Sequence, residues 1–199
     1  MHIEEAGRRG LMEGIEPVNA YVFIEHLDPG ARIRPVLKSL SGQPGVEFVA
    51  QFVGSFVGFG RVCVDTLAEL QDLIAGDFWE SGVRSSWSIV IPTWPDIPIA
   101  KKGGSDFCAL VRIATSGSGN AIDVGQGLID AFAGWNGQHF GVALVSGKGY
   151  DLVVSIAADS TEQLVEAIFD RVRTVSGIES TETAFADLRN NAIGGGHGN

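Results

Sequence analysis

The residue types that most often carry catalysis or bind metals are few in this chain, and their spacing is poor for either. Of four histidines, His2 and His197 lie in the terminal segments, while His26 and His139 sit at the edges of strand-like runs. An isolated histidine in that setting reads as a solvated or hydrogen-bonded side chain rather than an axial ligand. No group of His, Cys, Asp and Glu has metal-ligand spacing. Cys63 and Cys108 fall inside apolar strand-like runs, which suits buried, reduced thiols. Gly58-Phe59-Gly60 and Gly147-Lys148-Gly149 precede strands, not helices, so neither has the context of a phosphate loop. No Gly-x-Ser-x-Gly elbow occurs, and Ser116-Gly117-Ser118-Gly119 reads as a flexible loop without a base. Asp159, Glu162 and Glu166 open a helix, where acids complement the positive end of the dipole. Trp79, Trp87 and Trp94 gather near the end of the first half, suited to walling an apolar pocket or to packing core and linker.

So thin a set of reactive groups puts the weight on the elements that would position them. The 199 residues carry Lys+Arg 14 against Asp+Glu 24, a formal net charge of −10, and both halves are acidic. A nucleic-acid binder needs a basic face to neutralise phosphates, so direct contact with nucleic acid is not expected. Mean hydropathy is +0.17, yet no apolar run approaches the ~20 residues that span a bilayer. Met1-His2-Ile3-Glu4-Glu5 places acids where a signal peptide has its basic region. These features predict a globular, cytoplasmic protein without a membrane segment.

The chain contains an internal repeat. Ser81-Gly82-Val83-Arg84 recurs as Ser176-Gly177-Ile178-Glu179, Asp65-Thr66-Leu67 as Asp159-Ser160-Thr161, and Pro44-Gly45-Val46 as Asn136-Gly137-Gln138. Ala20-Tyr21-Val22-Phe23 aligns with Cys108-Ala109-Leu110-Val111. Each half opens with a β-branched and aromatic strand, at 21–24 and 109–113. A helix follows, with apolar stripes Ile33/Val36/Leu37/Leu40 and Val124/Leu128/Ala131/Phe132/Trp135. Two strands come next, near 48–53 and 59–64, then 140–145 and 152–156. Thr66-x-x-Glu69 and Ser160-x-x-Gln163 are capping boxes that open the second helix of each half, and strands at 86–91 and 181–185 close the units. The order β-α-β-β-α-β, twice, is that of the ferredoxin-like unit. Boundaries follow: an N-terminal extension 1–17, repeat one 18–92, a Pro/Gly linker 93–106, repeat two 107–188, and a disordered tail 189–199. Two helices cover one face of a four-stranded sheet. Several strands are apolar at successive positions, so the other faces should pack sheet to sheet, an α+β intramolecular dimeric α/β barrel.

Each half resembles the effector-binding domain of the Lrp/AsnC (feast/famine) regulators: a strand, a helix ending near Pro-Gly-Val, a strand leading to Gly-x-Tyr-Asp, a capped acidic helix, then Gly-Val and a Thr-containing closing strand. Repeat two carries Ser146-Gly147-Lys148-Gly149-Tyr150-Asp151, Asp159 and Gly177-Ile178-Glu179-Ser180-Thr181-Glu182-Thr183. Repeat one carries Pro44-Gly45-Val46, Gly54-Ser55-Phe56-Val57 and Gly82-Val83-Arg84-Ser85. Fewer than 20 residues precede the first strand, too few for the helix-turn-helix of that family. Val57 replaces the turn Asp in repeat one, and repeat two has one extra residue in the turn, so the two sites are not equivalent.

The resemblance implies a small-molecule effector such as an amino acid, held by Gly147, Tyr150, Asp151, Thr181 and Thr183, with weaker counterparts Gly54, Phe56 and Ser85. Glycine amides would approach a carboxylate, Asp151 would pair with an ammonium, and Tyr150 would supply an apolar wall. On backbone grounds alone the same turn is a good hairpin, with Asp151 bonding backbone and Tyr150 in the core. The expectation is therefore a non-enzymatic, cofactor-free effector-binding protein acting in transcription regulation through self-association or a DNA-binding protein partner. Two alternatives stand beside it: a dimeric α/β-barrel enzyme, either a small monooxygenase or haem-linked, and a ligand-free interaction module.

Overall fold

A computed structural model describes residues 17–91, 107–116, 121–187 and 192–194. Repeat one runs β1 (Val18–Leu27), α1 (Ile33–Leu40), β2 (Val46–Gln51), β3 (Val53–Gly54), β4 (Gly58–Val64), α2 (Leu67–Asp72) and β5 (Val83–Ile91). Repeat two runs β6 (Phe107–Thr115), α3 (Ala121–Ala131), β7 (His139–Gly147), β8 (Tyr150–Ala158), α4 (Thr161–Glu166) and β9 (Ile178–Asp187), followed by β10 (Ala192–Gly194). Helices α2 and α4 continue as π-helical turns, Leu73–Phe78 and Ala167–Val172.

Both second helices start where the capping boxes place them. The Thr66 hydroxyl accepts from the Glu69 amide at 3.2 Å, and the Ser160 hydroxyl from the Gln163 amide at 3.2 Å. The return bonds reach one residue further back than the simple motif, from the amides of Asp65 and Asp159 to the side chains of Glu69 and Gln163. Helix α3 ends at Ala131, so Phe132 and Trp135 leave the expected stripe and stack edge to face in the turn beyond it.

Each repeat forms an antiparallel sheet in the ferredoxin-like order, β2-β4-β1-β5 and β9-β6-β8-β7. The sheets then exchange an edge. β3, from repeat one, pairs with β9 of the second sheet, and β10 pairs with β2 of the first. The tail expected to be disordered from 189 thus supplies a strand at Ala192–Gly194, because the open edge of β2 offers unpaired backbone groups and Ile193 packs on the first core. Residues 1–16 of the N-terminal extension and the whole of the linker 93–106 lie outside the described residues.

Three apolar layers result. Ala20, Val22 and Ile24 face α1 and α2; Ala109, Val111 and Ile113 face α3 and α4. Between the sheets, repeat one contributes large rings, namely Tyr21, Phe23, Phe48, Phe52, Phe59 and Trp87, and repeat two contributes small groups such as Cys108, Val153, Ala184 and Ala186. Large against small lets two sheets interdigitate without voids. The registers also fix which residues are equivalent. Val18 pairs with Val64 and Phe107 with Ala158, each two residues before a helix cap, so Ala20 matches Ala109 and Phe23 matches Arg112. The alignment of Ala20 with Cys108 is corrected by one residue, and in a strand one residue moves every side chain to the other face.

Gly54 is the tightest point of the exchange. Its φ is +144°, and a Cβ there would lie 2.3 Å from the Thr183 carbonyl oxygen and 2.7 Å from the Ala184 Cα. Gly149, at φ +78°, has nothing within 4 Å of that position. Gly54→Ala should therefore lose more than ~2 kcal/mol in urea unfolding, against about 1 kcal/mol for Gly149→Ala. Equal losses would show that β3 is not pinned on β9.

Candidate functional site

Alternation along β6 sends Cys108, Leu110 and Arg112 into the layer between the sheets. Arg112 is 2 % exposed, a charge in an otherwise apolar layer, and such a charge must be paired. Its cross-strand neighbour Glu182 accepts from Nη2 at 2.5 Å. The opposite sheet supplies Glu25, whose Oε1 accepts from Nη1 at 3.1 Å. Glu25 sits at a bulge where the pairing of β1 with β5 shifts between Ile24 and His26. Its second oxygen accepts from the Ser85 hydroxyl at 2.8 Å and from Lys148 Nζ at 2.6 Å. Four rings surround the guanidinium carbon, with centroids at 4.8 Å for Tyr150, 5.3 Å for Phe56, 5.5 Å for Trp87 and 5.7 Å for Phe23. Each ring face attracts a cation. Arg112 Nε alone has no partner.

The electrostatics follow from these contacts. Burial opposes ionisation of Glu25, but hydrogen bonds from Lys148, Ser85 and Arg112 outweigh it and hold the carboxyl down at about 2. Burial, and then the hydrogen bond to Glu182, push the Tyr150 phenol up to about 12. At neutral pH the cluster therefore presents an ionised Glu25 and a neutral, donating Tyr150. Burial also raises both thiols, Cys108 to about 12, so neither is poised as a nucleophile.

The eight residues singled out from sequence divide. Tyr150, Phe56 and Ser85 meet at Arg112 or Glu25. Asp151 does not: its Oδ2 accepts from the amide and the hydroxyl of Thr115, both at 2.8 Å, and so fastens the end of β6. Thr181 and Thr183 stand at the register positions of Ile113 and Val111, which face the helices, and Thr183 Oγ1 is buried without a partner. Gly147 and Gly54 serve the backbone: Gly147 pairs with Tyr150 across the Lys148-Gly149 turn, and Gly54 lies against Thr183. Arg112, Glu25, Glu182 and Lys148 were not anticipated. The available signal was a lone arginine inside the run Cys108-Ala109-Leu110-Val111-Arg112-Ile113.

The described residues do not fit a haem. His26 is exposed. His139 lies on edge strand β7 beside the Ser155 hydroxyl and alternates with Phe140, which packs towards the helices. Both sheet-to-helix layers are filled by buried apolar side chains. Among the described residues no group of three or more His, Cys, Asp or Glu could hold a metal ion, and no helix is long and apolar enough to cross a membrane. Two surface clefts, of about 450 Å³ around Cys63, Asp65 and Glu69 and about 470 Å³ along α4, do not touch Arg112.

No family model matches the chain, and no curated relative does. Solved structures do. An anthrone oxidase-like protein aligns over 93% of this chain and 95% of its own, with a TM-score of 0.57 and 14% identity. A mutant chlorite dismutase from Candidatus Nitrospira defluvii aligns over 86% and 92%, with a TM-score of 0.54 and 13% identity. A Lactobacillus acidophilus structure assigned as a monooxygenase aligns over 85% and 92%, with a TM-score of 0.50 and 10% identity. Escherichia coli AsnC aligns over 59% and 70%, with a TM-score of 0.34 and 16% identity. The fold is thus the ferredoxin-like dimeric α/β barrel. The reading as an Lrp/AsnC regulator without enzymatic activity is corrected, because the structures matched over nearly their whole lengths bear oxidase, chlorite dismutase and monooxygenase names.

The depressed Glu25 carboxyl makes a pH prediction. Its folded value lies below its ordinary 4.5, so the stability it adds is complete above that value and is lost as pH falls towards 2. Glu25→Gln should be less stable than the parent at neutral pH, and the gap should close between about pH 5 and pH 2 in urea titrations. A gap independent of pH would show that Glu25 is not held ionised by Arg112 and Lys148.

Proposed function

We propose that this chain is an enzyme of the dimeric α/β-barrel kind that oxidises a planar, hydroxylated aromatic ketone with dioxygen at the Arg112 cluster. The observation that carries the reading is the buried guanidinium, fixed on two sides by Glu25 and Glu182 and walled by four aromatic rings, with its Nε–H unpartnered. A buried donor without a partner costs roughly 1–3 kcal/mol, and an anionic oxygen of a substrate is the group that satisfies it. The nearly full-length likeness to an anthrone oxidase-like protein and to a structure assigned as a monooxygenase supports the same class of chemistry.

The residues divide the work. Arg112 stabilises the enolate or phenolate oxygen, and by doing so in a water-poor layer it lowers the pKa of the substrate there. Phe23, Phe56 and Trp87 form the apolar wall behind the guanidinium. Neutral Tyr150 donates a hydrogen bond, and Glu182, on the outer side of the guanidinium, is the partner that a substrate anion displaces. The resulting carbanion is electron-rich enough to react with dioxygen. The overall change, ring CH2 plus dioxygen to ring C=O plus water, balances without an external reductant.

Dioxygen uptake with a dihydroxyanthrone tests this. The parent chain should accelerate uptake above the spontaneous rate, and Arg112→Met, checked for folding by circular dichroism, should lose roughly a hundredfold in kcat/KM. Uptake no faster than without protein, across anthrones and hydroxylated aromatic ketones, would contradict the assignment.

A further inference from the structure

The two repeats hold their hairpin tips on the opposite sheet in different ways. In repeat one the segment between β2 and β4 crosses over as β3 and is joined to β9 by backbone pairing, Val53 with Phe185 and Gly54 with Ala184, extended by the Ser55 amide donating to the Thr183 carbonyl at 3.3 Å. Gly54 allows an approach that any side chain would block. That tip is a fixed part of the second sheet.

Its counterpart in repeat two is the β7–β8 hairpin. Lys148 and Gly149 form a two-residue turn with φ of 49° and 78°, flanked by the pair Gly147 and Tyr150; positive φ at both central positions is the tight, primed hairpin turn. No strand pairing joins this tip to the first sheet among the described residues. What joins it is Lys148, 46 % exposed at the side chain, whose Nζ donates to Glu25 on β1 at 2.6 Å. Just behind the turn, the Tyr150 ring lies against Trp87 at 5.4 Å and over the Arg112 guanidinium at 4.8 Å. Phe56, which holds the same place in repeat one, is fully buried behind β3, whereas Tyr150 is only partly covered.

We infer that the β7–β8 hairpin is a gate over Arg112, latched shut by the Lys148–Glu25 ion pair, and that its opening lifts Tyr150 and admits a planar aromatic anion to the guanidinium. The contrast between the two tips carries the inference: one is stitched by main-chain bonds and a glycine clamp, whereas the other, beyond the side-chain packing of Val145 and Tyr150, is tied to the opposite sheet at its solvent-facing turn by an ion pair. Such a pair is weak enough to open readily and weakens further with salt. Tyr150 travels with the turn, because it is the first residue of β8 and the pairing partner of Gly147. Arg112 stays, because Glu25 and Glu182 hold it from two sheets.

Reaction of Arg112 with phenylglyoxal, followed by peptide mass spectrometry with exposed Arg34 as the internal reference, reads gate opening without any turnover. A failure here is thereby distinguishable from a failure of the oxidase reading. In the parent chain Arg112 should react far more slowly than Arg34, and Lys148→Ala should speed its reaction roughly three- to tenfold, while Lys148→Arg restores slow labelling. Raising salt should speed the parent and leave Lys148→Ala unchanged. The inference is overturned if Lys148→Ala and the parent label at the same rate at low salt, or if the parent labels at the rate of Arg34. The salt series on the parent alone decides the matter should the variant not fold: a labelling rate independent of salt overturns the latch.

Discussion

A guanidinium buried between two apolar sheets is the constraint from which the rest of this structure follows. Removing Arg112 from water costs several kcal/mol unless carboxylates and further donors and acceptors surround it, and the partners come from both halves of the chain. Glu182 is its neighbour in the same sheet, and Glu25 reaches it from the other. The docking of the sheets is therefore specified by charge as well as by area. Glu25 in turn gathers Ser85 and Lys148, so the bulge in β1, the closing strand β5 and the β7–β8 hairpin all converge on one cation. Removing Glu25 leaves the buried Arg112 with Glu182 alone, and removing Arg112 leaves Glu25 with Lys148 and Ser85 at the edge of the layer, so the first change is the more costly.

The duplication shows how such a cluster arises. By strand register, Phe23, Phe56 and Trp87 of repeat one occupy the places of Arg112, Tyr150 and Glu182 in repeat two. The first trio packs as rings, with Phe23 stacked on Trp87 and edge-on to Phe56. The second is a cation, a phenol and a carboxylate. They face each other across the layer, so the aromatic set of one half becomes the wall of the ionic set of the other. A symmetric pair of identical chains would place like against like at these positions; a single chain with two diverged halves places a cation against ring faces. The edge exchange of β3 and β10 fixes the halves in that arrangement.

Much of this fold was legible in the sequence because it rests on local rules. The capping boxes at Thr66 and Ser160, the apolar stripe of α1 and the β-branched strands each act through near neighbours, and together with the midpoint linker they yield the ferredoxin-like order twice. The exchange of edges was not legible. A two-residue strand at Val53–Gly54 and a three-residue strand at Ala192–Gly194 have no period of their own and exist only because an open edge lies opposite. The site was half legible for a related reason. Tyr150, Phe56 and Ser85 belong to turns and strand ends that motif reading finds, whereas Arg112 and Glu25 are single charges in apolar strands whose facing depends on register. With Ala20 set against Cys108, Arg112 falls at the helix-facing place of Ile24, whereas the strand pairings put it at the place of Phe23, between the sheets. Asp151, the most polar residue of the turn, proved to hold β6 by its bonds to Thr115, the backbone role that the turn chemistry also allowed.

The central claim is that the unpartnered Nε of Arg112 is the place where a substrate oxygen is held. Nitrogen NMR of the arginine side chains, with the Arg112 Nε–H resonance identified by its loss in Arg112→Lys, tests it most directly during an anaerobic titration with a dihydroxyanthrone. The account predicts that this resonance shifts and saturates with the ligand, together with signals of Tyr150 and Trp87. A resonance that stays in place while residues of the Cys63 cleft or of α4 respond would contradict it.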